Sequence, residues 1–277
     1  MKHIVSFSSG LSSAVACERA LKRYGRDHVD IVFMDTLIED DDNYRFMREC
    51  ESRWGKKITI LTEGRTPFEV ATDKKIIPSN FAAPCTFVLK IEPFVKYLTA
   101  LNESENESEL TIHIGYDWQE IHRCEATEKN YAERGWAVDF PLLWKPYEAK
   151  SYADTVKDDW GIKPPRMYAM GYTHANCGGR CVKSGQSDWL RTLKHFPNRF
   201  REIEDWEQDM RNHPVRANRA MLRKTTKGVM RGLPLAELRE NYEDVEINQG
   251  DLFTMDETSP CVVCDVGGGL LDEEQEE

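Results

Sequence analysis

Residues 3–35 read HIVSFSSGLSSAVACERALKRYGRDHVDIVFMD, and their pattern decides the fold. HIVSFS is a short apolar run suited to a buried strand, and after a turn of small residues Ala14, Cys17, Leu21 and Tyr24 recur at helical spacing. VDIVFMD, at 29–35, is a second strand. Strand, tight loop, helix and strand in that order predict parallel pairing with right-handed crossovers. The alternation continues with a helix at 43–54, a strand at 57–62 and a helix through TFVLKIEPFVKYLTAL that tolerates or bends at Pro93. LTIHIGY (110–116) is a fourth strand, EATEKNYAERG (125–135) a helix, and WAVDFPLL (136–143) a strand that stops near Pro141. The expected fold is α/β: a three-layer sandwich with a mostly parallel five-stranded sheet and a ligand at the C-terminal strand ends, plus a helical C-terminal part. The expected organisation is an α/β domain over 1–160, a helical cysteine-containing region over 161–270, and a disordered acidic tail at 271–277.

The 277 residues carry 37 Lys and Arg against 48 Asp and Glu, a net charge of −11, which gives no global reason to bind nucleic acid. Much of the acid sits in NESENESE (102–109) and the terminal DEEQEE, so the body between them is nearer neutral and a local basic face is compatible with the composition. No run approaches the roughly eighteen apolar residues a bilayer span needs, and MKH passes into IVSF without a signal-peptide core. These features predict a soluble, cytoplasmic chain without a membrane partner. In a reducing compartment, its eight cysteines point to metal or redox chemistry more than to disulfides.

The loop SFSSGLSSAV (6–15) joins the first strand to the first helix, where free backbone N–H groups and the positive helix end suit an anion. It lacks the lysine of a Walker A loop and the three glycines of a dinucleotide fingerprint. Ser8, Ser9, Ser12 and Ser13 offer hydroxyl donors beside the Gly10 amide; the plainer alternative is an ordinary helix cap and turn. Cys177 and Cys181 in NCGGRC, with Cys261 and Cys264 in CVVC, form two close pairs that can complete a tetrahedral four-sulfur metal site. Zn2+ and a 4Fe-4S iron–sulfur cluster both accept this set, and four unligated thiols are the alternative. Cys17 and Cys50 fall on apolar helix faces and read as core residues. RNHPVRANRAMLRKTTKGVMR (211–231) holds seven Lys or Arg and no acid. As a helix it would align Arg216, Arg219, Arg223 and Lys227, a stripe suited to a nucleic-acid backbone or to nucleotide phosphates, unless EIEDWEQD just before it neutralises the charge.

Taken together, these segments resemble the phosphoadenosine phosphosulfate (PAPS) reductase-like family of the PP-loop, or adenine nucleotide alpha-hydrolase, superfamily. SFSSGLSSAV resembles its SGGxDS pyrophosphate loop, IVFMDTLIEDDDNYRFM its second strand and acidic helix start, and CTFVLKIEPFVKYL its cysteine, lysine and Glu-Pro segment. IGYDWQEIHR resembles its glycine-to-arginine strand end, and ANCGGRCVK its later cysteine pair. The resemblance implies phosphate binding by Ser6, Ser8, Ser9, Gly10, Ser12 and Ser13. It places the adenine and ribose near Phe33, Met34 and Asp35, with Gly115 and Asp117 at the fourth strand end. Ser12, Ser13, Lys90 and Arg123 become the implied catalytic groups, with Lys145 a further cation. Ser9 stands where the family loop has its first glycine and Ser12 where it often has aspartate, so an acid for Mg2+ would come from Asp35, Glu39 or Asp40. Cys85 lies where iron–sulfur members carry a cysteine pair, and Cys85 or Cys124 can replace one C-terminal ligand. The implied function is binding of ATP or a related adenine nucleotide, attack at its α-phosphate with pyrophosphate release and adenylylation, and sulfur transfer to nucleic acid as in relatives with similar clusters. A sulfonucleotide (PAPS or APS) reductase is the alternative, although CVVCDVGGGLLDEEQEE has no ECG-type motif; a non-catalytic nucleotide-binding module is the third reading.

Overall fold

A computed structural model describes residues 1–104, 110–145, 150–226 and 229–243. The chain begins with β1 (Lys2–Phe7), α1 (Leu11–Tyr24), β2 (Val29–Asp35), α2 (Asp41–Trp54), β3 (Ile58–Thr62) and α3 (Pro67–Asp73). A continuous helical stretch follows: α4 (Pro84–Thr86), a π turn (Phe87–Ile91) and α5 (Glu92–Ser104). In the π turn the Glu92 N–H reaches back to the Phe87 carbonyl. This widened turn lies directly before Pro93, whose missing N–H and bulky ring an ordinary helical turn would not accommodate. Then come β4 (Leu110–His113), α6 (Cys124–Ala132), β5 (Ala137–Asp139) and a 3-10 turn at Pro141–Leu143.

The five strands form one all-parallel sheet in the order β3-β2-β1-β4-β5. Its side chains alternate strictly. Val5, Phe7, Ile31 and Phe33 face α1 and α2, whereas Ile4, Val32, Met34 and Ile112 face α5 and α6. Burial on both faces is what makes these strands read as apolar runs. Cys17 and Cys50 are wholly buried in the first of these layers, as their helical spacing indicated.

The second half adds α7 (Tyr152–Asp154), α8 (Arg166–Ala169), α9 (Gln186–His195), α10 (Pro197–Arg211), β6 (Leu222–Thr226), β7 (Val229–Leu233) and α11 (Leu235–Glu243). A further core gathers Trp189 and Phe200, in edge contact at 6.1 Å, with Met221, Leu222, Leu233 and Leu238. It also takes in Phe68, Val88, Leu89 and Ile38 from the first half of the chain.

The basic stretch at 211–231 is not a helix. Its described part is the end of α10, a 3-10 turn at Pro214–Arg216 and the antiparallel β6–β7 pair, with Lys227 outside the described residues. Arg216, Arg219 and Arg223 therefore share no helical face. Arg216 instead donates to the Met210 and Lys75 carbonyls, and Arg223 lies 4.4 Å over the Phe81 ring. Among the described residues no helix is long and apolar enough to cross a membrane.

Candidate nucleotide site

Strands β1, β2 and β3 run to one side of the sheet and β4, β5 to the other, so the chain switches direction between β1 and β4. A crevice for a ligand opens at the C-terminal ends of strands at such a switch. Ser8, Ser9 and Gly10 lie there, between β1 and α1. The Ser13 hydroxyl, one turn into α1, folds back onto this loop: it accepts from the Ser8 N–H at 3.2 Å, pairs with the Ser8 hydroxyl at 3.0 Å and donates to the Gly10 carbonyl at 3.0 Å. One buried side chain thus closes both ends of the turn. Gly10 caps α1 without a side-chain hydrogen bond, leaving the first-turn amides to other acceptors. One such acceptor is Tyr168, whose hydroxyl takes the Leu11 N–H at 3.3 Å.

Ser9 has φ 56°, the left-handed region, and is wholly buried with its hydroxyl unpartnered among the described residues. This is the position at which the family loop has glycine, and the backbone shows why: a side chain there costs about 1–2 kcal/mol. Gly115 has a different reason. A Cβ on it would lie 2.9 Å from Ser13 Cα and 3.1 Å from Ser13 N, so the segment after β4 packs backbone to backbone on the start of α1. Ser12 is half-buried beside it, whereas Ser6 is buried in β1. Phe33 and Met34 are buried with their side chains in opposite core layers. Asp117 accepts from the Gln119 N–H at 2.9 Å.

The three acids considered for Mg2+ are engaged with protein partners. Asp35 accepts the Tyr44 hydroxyl on both oxygens at 2.9 Å and the Leu37 N–H at 2.8 Å. Glu39 accepts from Thr36 and Asn43 and from the Cys177 N–H at 2.7 Å; burial raises its pKa, against the opposing pull of Lys90. Asp40 caps α2 and pairs with Arg166 and Arg199, each at 2.8 Å. Burial pushes the Asp40 carboxyl up, but hydrogen bonds from both arginines outweigh it and hold the pKa low. Among the described residues no group of three or more His, Cys, Asp or Glu side chains is placed to hold a metal ion. All three carboxylates thus have protein hydrogen-bond partners in the folded chain.

Cys177 and Cys181 are brought together, their thiols hydrogen-bonded, by a turn in which Cys177, Gly178 and Gly179 all have positive φ. A Cβ on Gly178 would lie 2.8 Å from the Ile38 carbonyl, so this turn sits directly on the connection between β2 and α2. The pair fits half of a four-sulfur site; Cys261 and Cys264 lie outside the described residues. Cys85 shares the apolar cluster of Cys177 and Cys181, whereas Cys124 lies in the layer beneath α5 and α6. The hydrogen bond to Cys181, burial and the Glu39 charge all raise the Cys177 thiol. Lys90 is buried, and its charge acts on Glu39, Cys177 and His174.

His174 escaped the sequence reading. It is 8% exposed, and neither ring nitrogen has a hydrogen-bond partner among the described residues. Burial depresses its pKa, the Asp188 carboxylate opposes this, and Lys90 adds to it. A buried imidazole with both nitrogens unpartnered among the described residues is a feature that spacing in the sequence did not signal. Arg123 sits apart from this cluster: it pairs with Glu120 at 2.6 Å and lies 4.5 Å over the Tyr116 ring.

The fold is thus a parallel α/β sheet with a hydroxyl-lined turn before α1. Residues 2–106 match the family model described as the phosphoadenosine phosphosulfate reductase domain. Two curated relatives are both uncharacterized proteins of Methanocaldococcus jannaschii. MJ0066 is 24% identical over 78% of this chain and 42% of its own length, and MJ0973 is 23% identical over 72% and 46%. The chain thus spans less than half the length of either relative. A crystal structure of phosphoadenylyl-sulfate reductase from Candida auris in a phosphate complex aligns with 62% of this chain and 79% of that one, at 16% identity and a TM-score of 0.43.

Proposed function

We propose that the chain binds ATP or a closely related adenine nucleotide at the serine loop and promotes attack on its α-phosphate, releasing pyrophosphate and adenylylating an acceptor. The observation that carries this reading is the Ser13 hydroxyl closing the Ser8–Gly10 turn at the start of a helix whose cap brings no side-chain acceptor. Such a turn aims backbone N–H groups and the positive helix end at one point, where a departing pyrophosphate gains negative charge. Ser12 offers a second hydroxyl to the same anion. Ser13 acts as a positioning residue through the loop it shapes. Mg2+ bound to the phosphates would share their charge. Lys90 supplies a fixed buried cation near the end of β2, and Arg123 one beyond β4. Cys177 and Cys181, with Cys261 and Cys264, suit Zn2+ or a 4Fe-4S cluster, which would supply thiolate or sulfur chemistry to the activated acceptor; nucleic acid is the acceptor class that the family resemblance suggests.

Pyrophosphate release from ATP tests the proposal. The parent chain is expected to release it, Ser12→Ala to slow release with little effect on ATP affinity, and Ser13→Ala to weaken affinity as well. Tight ATP binding with no pyrophosphate would make the chain a nucleotide-binding module, and sulfite release from a sulfonucleotide would make it a reductase. Either result sinks adenylylation.

A further inference from the structure

A groove of about 870 Å3 runs beside α1, between that helix and described residues of 142–145 and 150–160. Its walls hold Arg19, Lys22, Arg23, Arg53, Lys145 and Lys150 against only Glu18, Asp117 and Asp159. Six cations and three acids give a local charge of +3 in a chain of net charge −11, so the groove departs sharply from the rest of the molecule.

Several of these cations are held in place by the surrounding chain. Arg19 donates to the Pro141 and Leu142 carbonyls at 3.1 and 3.0 Å. Lys22 and Arg53 share the Glu18 carboxylate at 2.8 and 3.0 Å, so two positive charges meet one negative charge. Burial pushes Glu18 up, but hydrogen bonds from Arg53 and Lys22 outweigh this and keep it ionised. Aromatic rings lie between the cations. The Arg23 guanidinium lies 4.4 Å from the Trp144 ring, and Arg53 5.0 Å from Trp160. Trp118 stands at the rim with 39% of its surface exposed, three residues after Gly115. Val15 to Arg23, the wall given by α1, spans about 12 Å.

We infer that this groove binds single-stranded nucleic acid, its cations tracking the phosphate backbone and its indoles stacking on unpaired bases. Interleaved cations and ring faces in one concave channel are what a single strand needs, because its bases are free to leave one another and stack on protein. A duplex hides those faces. Binding requires no turnover at the serine loop, so this inference stands or falls separately from adenylylation.

The test is fluorescence anisotropy with a labelled oligothymidylate of about 12 nucleotides and the full chain, without ATP. If about three phosphates are neutralised, affinity should fall about 20-fold between about 50 and 200 mM salt. The triple variant Lys22→Glu, Lys145→Glu, Lys150→Glu changes exposed side chains only and should abolish binding while the circular-dichroism melt stays near the parent's. Trp118→Ala should weaken binding about tenfold through lost stacking. The double variant Arg223→Glu, Lys224→Glu, on the β6–β7 pair, should bind like the parent. Absence of binding at low salt, binding that the groove variants leave unchanged, or loss only in the β6–β7 variant each overturns the inference.

Discussion

Replacing Gly115 with alanine would put a methyl group 2.9 Å from Ser13 Cα, 3.1 Å from Ser13 N and 3.4 Å from the Ser12 carbonyl carbon. All three atoms are backbone, so no side-chain rotation relieves the clash, and the segment after β4 must move away from α1. Gly115 does not have positive φ, so alanine meets no conformational penalty of its own and the effect is steric. Overpacking of this kind costs about 1–3 kcal/mol. At about 2–4 °C per kcal/mol for a chain of comparable size, the melting temperature should drop by between about 2 and 12 °C. The displacement acts on Ser13, whose hydroxyl closes the serine loop, so ATP affinity should fall in the protein that is still folded. Differential scanning calorimetry reads the first effect and titration calorimetry at 20 °C below the variant's melting point the second. A Gly115→Ala chain that melts within a degree of the parent and binds ATP equally would refute the packing argument.

Three further outcomes follow from the same geometry. Asp40→Ala leaves Arg166 and Arg199 without their carboxylate and α2 without its cap, so urea unfolding should show a loss of about 3–5 kcal/mol, a result that Mg2+ cannot rescue. Ser9→Gly removes a left-handed serine and a buried unpartnered hydroxyl at the expense of some backbone entropy; a net gain of about 1 kcal/mol is expected, and a loss would mean that the hydroxyl has a partner. His113, wholly buried beside His3, has its pKa lowered by burial to about 4, with Asp139 only partly opposing this. Its unfolded form takes up a proton near pH 6.5 and its folded form only near pH 4. Stability is therefore complete above about pH 6.5 and falls by about 3 kcal/mol as pH drops toward about 4. A pH series of urea midpoints should show that slope, and His113→Gln should flatten it.

The parallel sheet was legible because its strands are buried on both faces and its crossover helices carry apolar residues at steps of three and four. Val5 and Phe7 against Ile4, and Ile31 and Phe33 against Val32 and Met34, divide between the two layers by alternation alone. The turn between β1 and α1 was legible for the same local reason, since consecutive residues make it. The β6–β7 pair was not. Its arginines recur at helical spacing by coincidence, while what fixes the strands is Met221, Leu222 and Leu233 packing into a core with Trp189 and Phe200. The ion pairs of Asp40 were not legible because their partners are remote: Arg166 and Arg199 reach it from 126 and 159 residues away. Tyr168 and His174 were invisible for the same reason. Each gains its meaning from a backbone turn or buried cluster that only the folded chain brings near, and a lone Tyr or His has no spacing to read.

The central claim is that the loop from Ser8 to Ser13 receives the phosphates of an adenine nucleotide. Titration calorimetry of the full chain with ATP and, separately, with adenosine tests it most directly. The account predicts one ATP site, with adenosine at least about tenfold weaker because charge-assisted hydrogen bonds to the phosphates are lost. Equal affinity for the two ligands, or no binding of ATP, would contradict it.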